Sequence, residues 1–61
     1  MLRNYYFENQ TGMRFIAMSK NNASEARQGL YKCFMVAKND TLKLLYSKPT
    51  TQADINYLME V

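Results

Sequence analysis

Few side chains in this sequence of 61 residues could do chemistry. There is one thiol, Cys33, and there are five carboxylates, Glu8, Glu25, Asp40, Asp54 and Glu60; histidine is absent. Without histidine the commonest general base and metal ligand is missing. A nucleophilic thiol needs exposure and an activating neighbour, and Cys33 falls on the apolar stripe of the main helix, where it is expected to be buried and inert. The carboxylates are scattered, and Glu25 and Asp54 have structural duties as helix caps. Gly12 and Gly29, the only glycines, stand too far apart to cradle a phosphate. No catalytic residue, metal site or cofactor is expected, and the chain reads as non-enzymatic. One cysteine permits no intrachain disulfide, and without histidine the usual ligand set of a structural zinc is lacking. A lone thiol suits a reducing cytoplasm.

These side chains are placed by a short list of elements. The longest is a helix over Asn22–Lys38. Asn22 serves as N-cap, and Glu25, three residues on, completes a capping box at the positive end of the helix dipole. Ala23, Ala26, Leu30, Cys33, Phe34 and Ala37 recur at helical spacing and form one apolar stripe. Before the helix, Leu2–Glu8 and Met13–Ser19 read as strands joined by Asn9-Gln10-Thr11-Gly12. A type I turn with Gly12 in the left-handed region makes this a three-residue hairpin loop with a bulge. That register pairs Phe7 with Phe15 and Tyr5 with Ala17 on one face. On the other face it pairs Glu8 with Arg14, Tyr6 with Ile16, and Asn4 with Met18, so opposite charges meet and aromatic rings meet. The Phe7 face should receive the helix.

After the helix, Leu42, Leu44 and Tyr46 alternate with Lys43, Leu45 and Ser47 as a third strand, stopped by Pro49. Lying antiparallel beside the first strand, it gives the order 2-1-3. The C-terminal stretch reads two ways. As a helix, Thr51 and Asp54 form a capping box and Ile55, Leu58 and Met59 share a side; as a strand, Ile55, Tyr57, Met59 and Val61 alternate. The cap and the preceding proline favour the helix. The expected fold is a single small α+β domain over residues 1–61, ββαβ with a three-stranded antiparallel sheet, one main helix on one face and a short C-terminal helix, or else a fourth strand.

A hydrophobic share of 48% with 21% charged residues describes a folding chain. A domain of this size buries only about 60% of the surface its unfolded chain exposes, so its stability is marginal. No uninterrupted apolar run approaches the roughly 20 residues of a spanning helix, and no signal-peptide core follows Met1; the expectation is a cytoplasmic protein. The net charge of +3 is spread almost evenly along the chain, and an even spread is the mark of a solvated surface more than of a nucleic-acid site.

Two surfaces are left as partner-binding candidates. One is the outer sheet face, with Tyr6, Arg14, Ile16, Met18, Lys20 and Lys43 beside Asn4 and Leu45, unless the C-terminal element covers it. The other is the helix flank Arg27, Tyr31, Met35 and Lys38. The hairpin-then-helix run, through Tyr5-Tyr6, Thr11-Gly12 and Glu25-Ala26, resembles the arm-type DNA-binding domain of tyrosine integrases and its plant AP2-like relatives. That resemblance implies DNA binding. The whole-chain layout is similar to that of small phage-encoded inhibitors of host enzymes, which use a sheet and one helix as a docking plate. The leading expectation is a protein-binding regulator that docks on and blocks a larger host protein, encoded by a phage or mobile element and acting in the host cytoplasm. The alternative is a small basic nucleic-acid-binding module using the sheet face or the helix flank, and a homodimer through the outer sheet face is compatible with either.

Overall fold

The computed structural model describes residues 2–59, with side chains as far as Tyr57. Its elements are β1 (Arg3–Asn9), β2 (Arg14–Ser19), α1 (Ala23–Lys32), β3 (Leu42–Pro49) and α2 (Gln52–Met59). The strands form one antiparallel sheet in the expected order β2-β1-β3, and the C-terminal element is a helix. The side chains of Leu58 and Met59, and residues Glu60 and Val61, lie outside the described residues.

The hairpin follows from its turn chemistry. Asn9 Oδ1 accepts from the Thr11 and Met13 backbone N–H groups at 3.1 and 2.9 Å, and from the Thr11 hydroxyl. The Gly12 N–H donates to the Asn9 carbonyl, and Gly12 has φ +88°, the left-handed conformation the loop requires. The register is the expected one, with Phe7 opposite Phe15, Tyr6 opposite Ile16 and Glu8 opposite Arg14.

Helix α1 starts at the expected N-cap, but only half of the expected capping box forms, since the Glu25 carboxylate accepts from Asn21 Nδ2 at 2.6 Å rather than from the Asn22 N–H. Asn22 Oδ1 accepts from the Glu25 N–H at 2.9 Å. It ends earlier, at Lys32 rather than Lys38. The Phe34 N–H donates to the Tyr31 carbonyl and the Met35 N–H to the Leu30 carbonyl, with Phe34 at φ +59° between them. This is a Schellman ending with phenylalanine where glycine is usual. The reason is one of length: a helix over Asn22–Lys38 would run about 25 Å, whereas six-residue β2 spans about 20 Å. The chain must also turn back to set Leu42 opposite Asn9. Unwinding changes what is buried. Val36 enters the core, while Cys33, Phe34 and Ala37, expected on the core stripe, are exposed. Within α1 the buried stripe is rotated to include Tyr31, packed against the core with its hydroxyl bonded to the Asp40 carbonyl. It also includes Arg27, whose guanidinium lies over the Phe7 ring and whose Nε is buried without a hydrogen-bond partner among the described residues.

The returning loop is held by Asp40. Its carboxylate accepts from Gln10 Nε2 at 2.8 Å and from the Ala37 N–H, and its carbonyl accepts from the Tyr31 hydroxyl. The Thr41 N–H donates to Gln10 Oε1. The hairpin tip and the α1–β3 loop are thereby tied together.

Strand β3 differs from simple alternation. Its pairing with β1 shifts between Tyr6 and Phe7, so that Leu44 faces Phe7 while Tyr46 faces Tyr6, with Leu45 the extra residue of a β-bulge. Beyond the bulge the faces exchange. Tyr46, expected with Leu42 and Leu44, stands instead on the outer face with Lys43 and Lys48, and Ser47 takes the helix face beside Tyr5. The core beneath α1 consists of Tyr5, Phe7, Ala26, Leu30 and Val36, with Phe15, Ala17, Ala23, Tyr31 and Leu42 packed around it.

Phe34 is 92% exposed, so its side chain returns little packing for the left-handed backbone it occupies. Replacing it with glycine is expected to raise stability by about 0.5–1 kcal/mol in urea denaturation, whereas Phe34→Ala, which keeps a Cβ there, leaves stability unchanged.

Candidate functional site

The sheet face opposite α1 carries the larger of the two expected surfaces. Register places Glu8, Tyr6 and Asn4 along β1, flanked by Arg14, Ile16 and Met18 on β2 and by Lys43, Tyr46 and Lys48 on β3. The expected members Tyr6, Arg14, Ile16, Met18 and Lys43 are therefore brought together. Lys20 is not among them: it lies in the turn after β2, beyond the strand. Tyr46 and Lys48 join the face unforeseen. The signal for them was the doublet Leu44-Leu45, which breaks the alternation that a regular strand would keep.

Whether α2 covers this face is settled at Asn4. That side chain is only 3% exposed. Its Oδ1 accepts from the Thr50 hydroxyl at 2.6 Å, and its Nδ2 donates to Asp54 Oδ2 at 3.2 Å. Asp54 in turn accepts from the Thr51 N–H and hydroxyl at 3.0 and 2.9 Å, and its own N–H donates to the Thr51 hydroxyl, which is the expected capping box. Helix α2 is thus pinned by its first turn to one corner of the sheet. The rest stays open, with Ile16 54%, Tyr46 55% and Met18 37% exposed.

The two tyrosines form a ridge. Tyr6 and Tyr46 stack with centroids 4.4 Å apart and planes 13° from parallel, so each ring has one face against the other. The Lys48 ammonium lies 5.5 Å from the Tyr6 centroid. The Tyr6 hydroxyl, foremost through a hydrogen bond and then through charge, holds the Lys48 pKa above its ordinary value. The ion pair Arg14–Glu8, at 3.8 Å, closes one end. The face is an apolar strip with a mainly basic rim.

The second expected surface is present only in part: Tyr31, Met35 and Lys38 line one groove of about 650 Å³ at the end of α1, and Arg27 does not join them. Arg27 turns inward, its guanidinium 5.4 Å from the centroid of the wholly buried Phe7 ring. Tyr31 packs on the core and bonds to the Asp40 carbonyl. Met35 and Lys38 lie past the end of α1, and Met35 is exposed beside Phe34. A helix that stops at Lys32 has no flank on which these four side chains could stand together. Cys33, exposed at the helix end, borders a groove of about 420 Å³ between α1 and β2. Among the described residues no three His, Cys, Asp or Glu side chains are grouped to share a metal ion, and no helix is long and apolar enough to cross a membrane.

Comparison of the chain with family models, curated proteins and solved structures finds no match in any of the three.

The contact at Asn4 is pH-dependent. The Thr51 N–H, then the Thr51 hydroxyl, and after them the Asn4 amide and the Lys48 charge hold the Asp54 carboxyl below its ordinary pKa. A carboxyl depressed in the folded state contributes its full stabilisation above the unfolded value and loses it as pH falls through the depressed one. The Asn4 side-chain amide and Thr51 N–H resonances should therefore move together at acid pH, with loss of α2 helicity. In Asp54→Asn that transition is absent.

Proposed function

We propose that this chain is a non-enzymatic protein-binding domain that docks its outer sheet face on a larger protein and blocks the surface it covers. One observation carries the reading: Ile16, Met18 and Tyr46 are left exposed on one face, contiguous with the Tyr6–Tyr46 ridge. Aromatic and methionine side chains with arginine at the edge are the composition of a docking core. The partner patch is then apolar at its centre, with carboxylates placed to meet Arg14, Lys43 and Lys48. A standard interface takes about 800 Å² from each partner, so this domain, with 4701 Å² in all, commits most of one face. The resemblance of the layout to that of small phage-encoded inhibitors extends the reading to a regulator of a host protein in the host cytoplasm, where an exposed unpaired thiol such as Cys33 persists.

Capture from host lysate is expected to return one stoichiometric partner. Tyr46→Asp and Ile16→Asp should each abolish that capture, while Phe34→Asp, on a different surface, retains it. Capture that survives both face variants would rule out docking through this face.

Nucleic acid is the second reading, favoured by Lys43, Lys48 and Arg14 around two tyrosines. Stacking geometry weighs against it. Each ring spends one face on the other, and Lys48 lies over Tyr6, so the outer side of Tyr46 is the one well placed for a base. Anisotropy titrations with a single-stranded oligonucleotide at about 50 and 200 mM salt separate the readings, since phosphate binding weakens steeply with salt. The docking reading expects no such binding. A steep salt dependence lost on charge reversal at Arg14, Lys43 and Lys48 would transfer the function to nucleic acid.

A further inference from the structure

The two edges of the sheet are treated differently. The β3 edge is blunted by the bulge at Leu45, by Lys43 and Lys48 and by terminal Pro49, which are the usual devices against strand addition. The β2 edge has none of these between Phe15 and Met18. The Asn9 N–H donates to the Met13 carbonyl at 2.9 Å. By the alternation of an antiparallel ladder, Phe15 and Ala17 then turn their backbone groups toward β1, while Arg14, Ile16 and Met18 turn theirs outward.

We propose that the β2 edge pairs antiparallel with β2 of a second copy of this chain, forming a two-fold dimer with a continuous six-stranded sheet. The three outward residues are symmetric about Ile16. A two-fold axis there sets Ile16 against its counterpart and Arg14 against the second copy's Met18, satisfying about six backbone hydrogen bonds. Centring on Ala17 instead would oppose Arg14 to Lys20 of the other copy, a like-charge pair.

The helix above the edge fits the same axis. Glu25, Gln28, Gly29 and Lys32 line the groove beside β2. Glu25 and Lys32 are two helical turns apart and so share a side. An axis between Gln28 and Gly29 brings each Glu25 to the other copy's Lys32. Gly29 weakens α1 by about 1 kcal/mol relative to Ala, yet a Cβ there would meet nothing within 4 Å inside the chain. An approaching helix supplies the reason for it. Helix α1 rests over both β1 and β2. With strands about 4.8 Å apart, the two copies of α1 stand about 10 Å apart, the spacing of packed helices. The dimer leaves the Tyr6, Tyr46 and Lys48 side chains free, but its seam uses Arg14, Ile16 and Met18, which also belong to the docking face. Tyr46→Asp, away from the seam, separates the two, since it should abolish capture and leave the dimer intact.

Sedimentation velocity on the intact chain is expected to show a dimer, with the Arg14, Ile16 and Met18 amides protected from hydrogen exchange. Ile16→Pro removes an outward N–H and should give a folded monomer. Lys32→Glu and Glu25→Lys should each weaken the dimer about tenfold, by placing like charges at both contacts. Mixing these two variants should restore it, because each then supplies the charge that the other lacks. A monomer at millimolar concentration, a dimer whose three amides exchange freely, or a mixture that fails to recover would each overturn the proposal. Should Ile16→Pro fail to fold, exchange and the charge pair still decide.

Discussion

Phe7 is the side chain on which this structure depends. It is the one large side chain among the described residues that is wholly buried, and it sits at the middle of the central strand. Helix α1 closes over it with Ala26 and Leu30, Val36 reaches it from the loop, and Arg27 lies across its ring. With so few buried apolar groups, the domain cannot let any of them go. That constraint explains why an arginine is recruited as a cover: its methylene stem supplies apolar area and its guanidinium a favourable contact with the ring face.

A core this small does not hold the connecting segments by itself, and three polar side chains take that role. Asn9 shapes the hairpin, Asp40 ties the α1–β3 loop to the hairpin tip, and Asn4 fastens the first turn of α2 to the sheet. Each serves several donors or acceptors at once. A buried amide such as Asn4 is tolerated only because both of its ends are engaged. Where Asn4 stops, coverage of the outer face stops. The exposed strip of Ile16, Met18 and Tyr46 results from a C-terminal helix anchored at one corner.

The bulge in β3 has two consequences from one extra residue. It turns Tyr46 outward to stack on Tyr6, and it breaks the regularity of the β3 edge. The face thereby gains its aromatic ridge and its second lysine, while the only uninterrupted edge of the sheet is left at β2.

Several features were legible in the residues because they rest on neighbours a few positions apart. The Asn9–Gly12 turn set the hairpin register, Asn22 with Glu25 and Thr51 with Asp54 set where the helices begin, and Pro49 closed β3. Grouping of Tyr6, Arg14, Ile16, Met18 and Lys43 followed from that register. What only the tertiary structure decided is where α1 ends, which way the residues after Lys32 point, and which face Tyr46 takes. Helical periodicity continues past Lys32 in the sequence, but β2, the strand α1 packs on most, is too short to receive it, and β3 must return to Asn9. Cys33 and Phe34 are therefore exposed, Val36 is buried, and Arg27 and Tyr31 are drawn onto the core. These outcomes depend on the fit between elements distant in the chain, which local spacing does not encode.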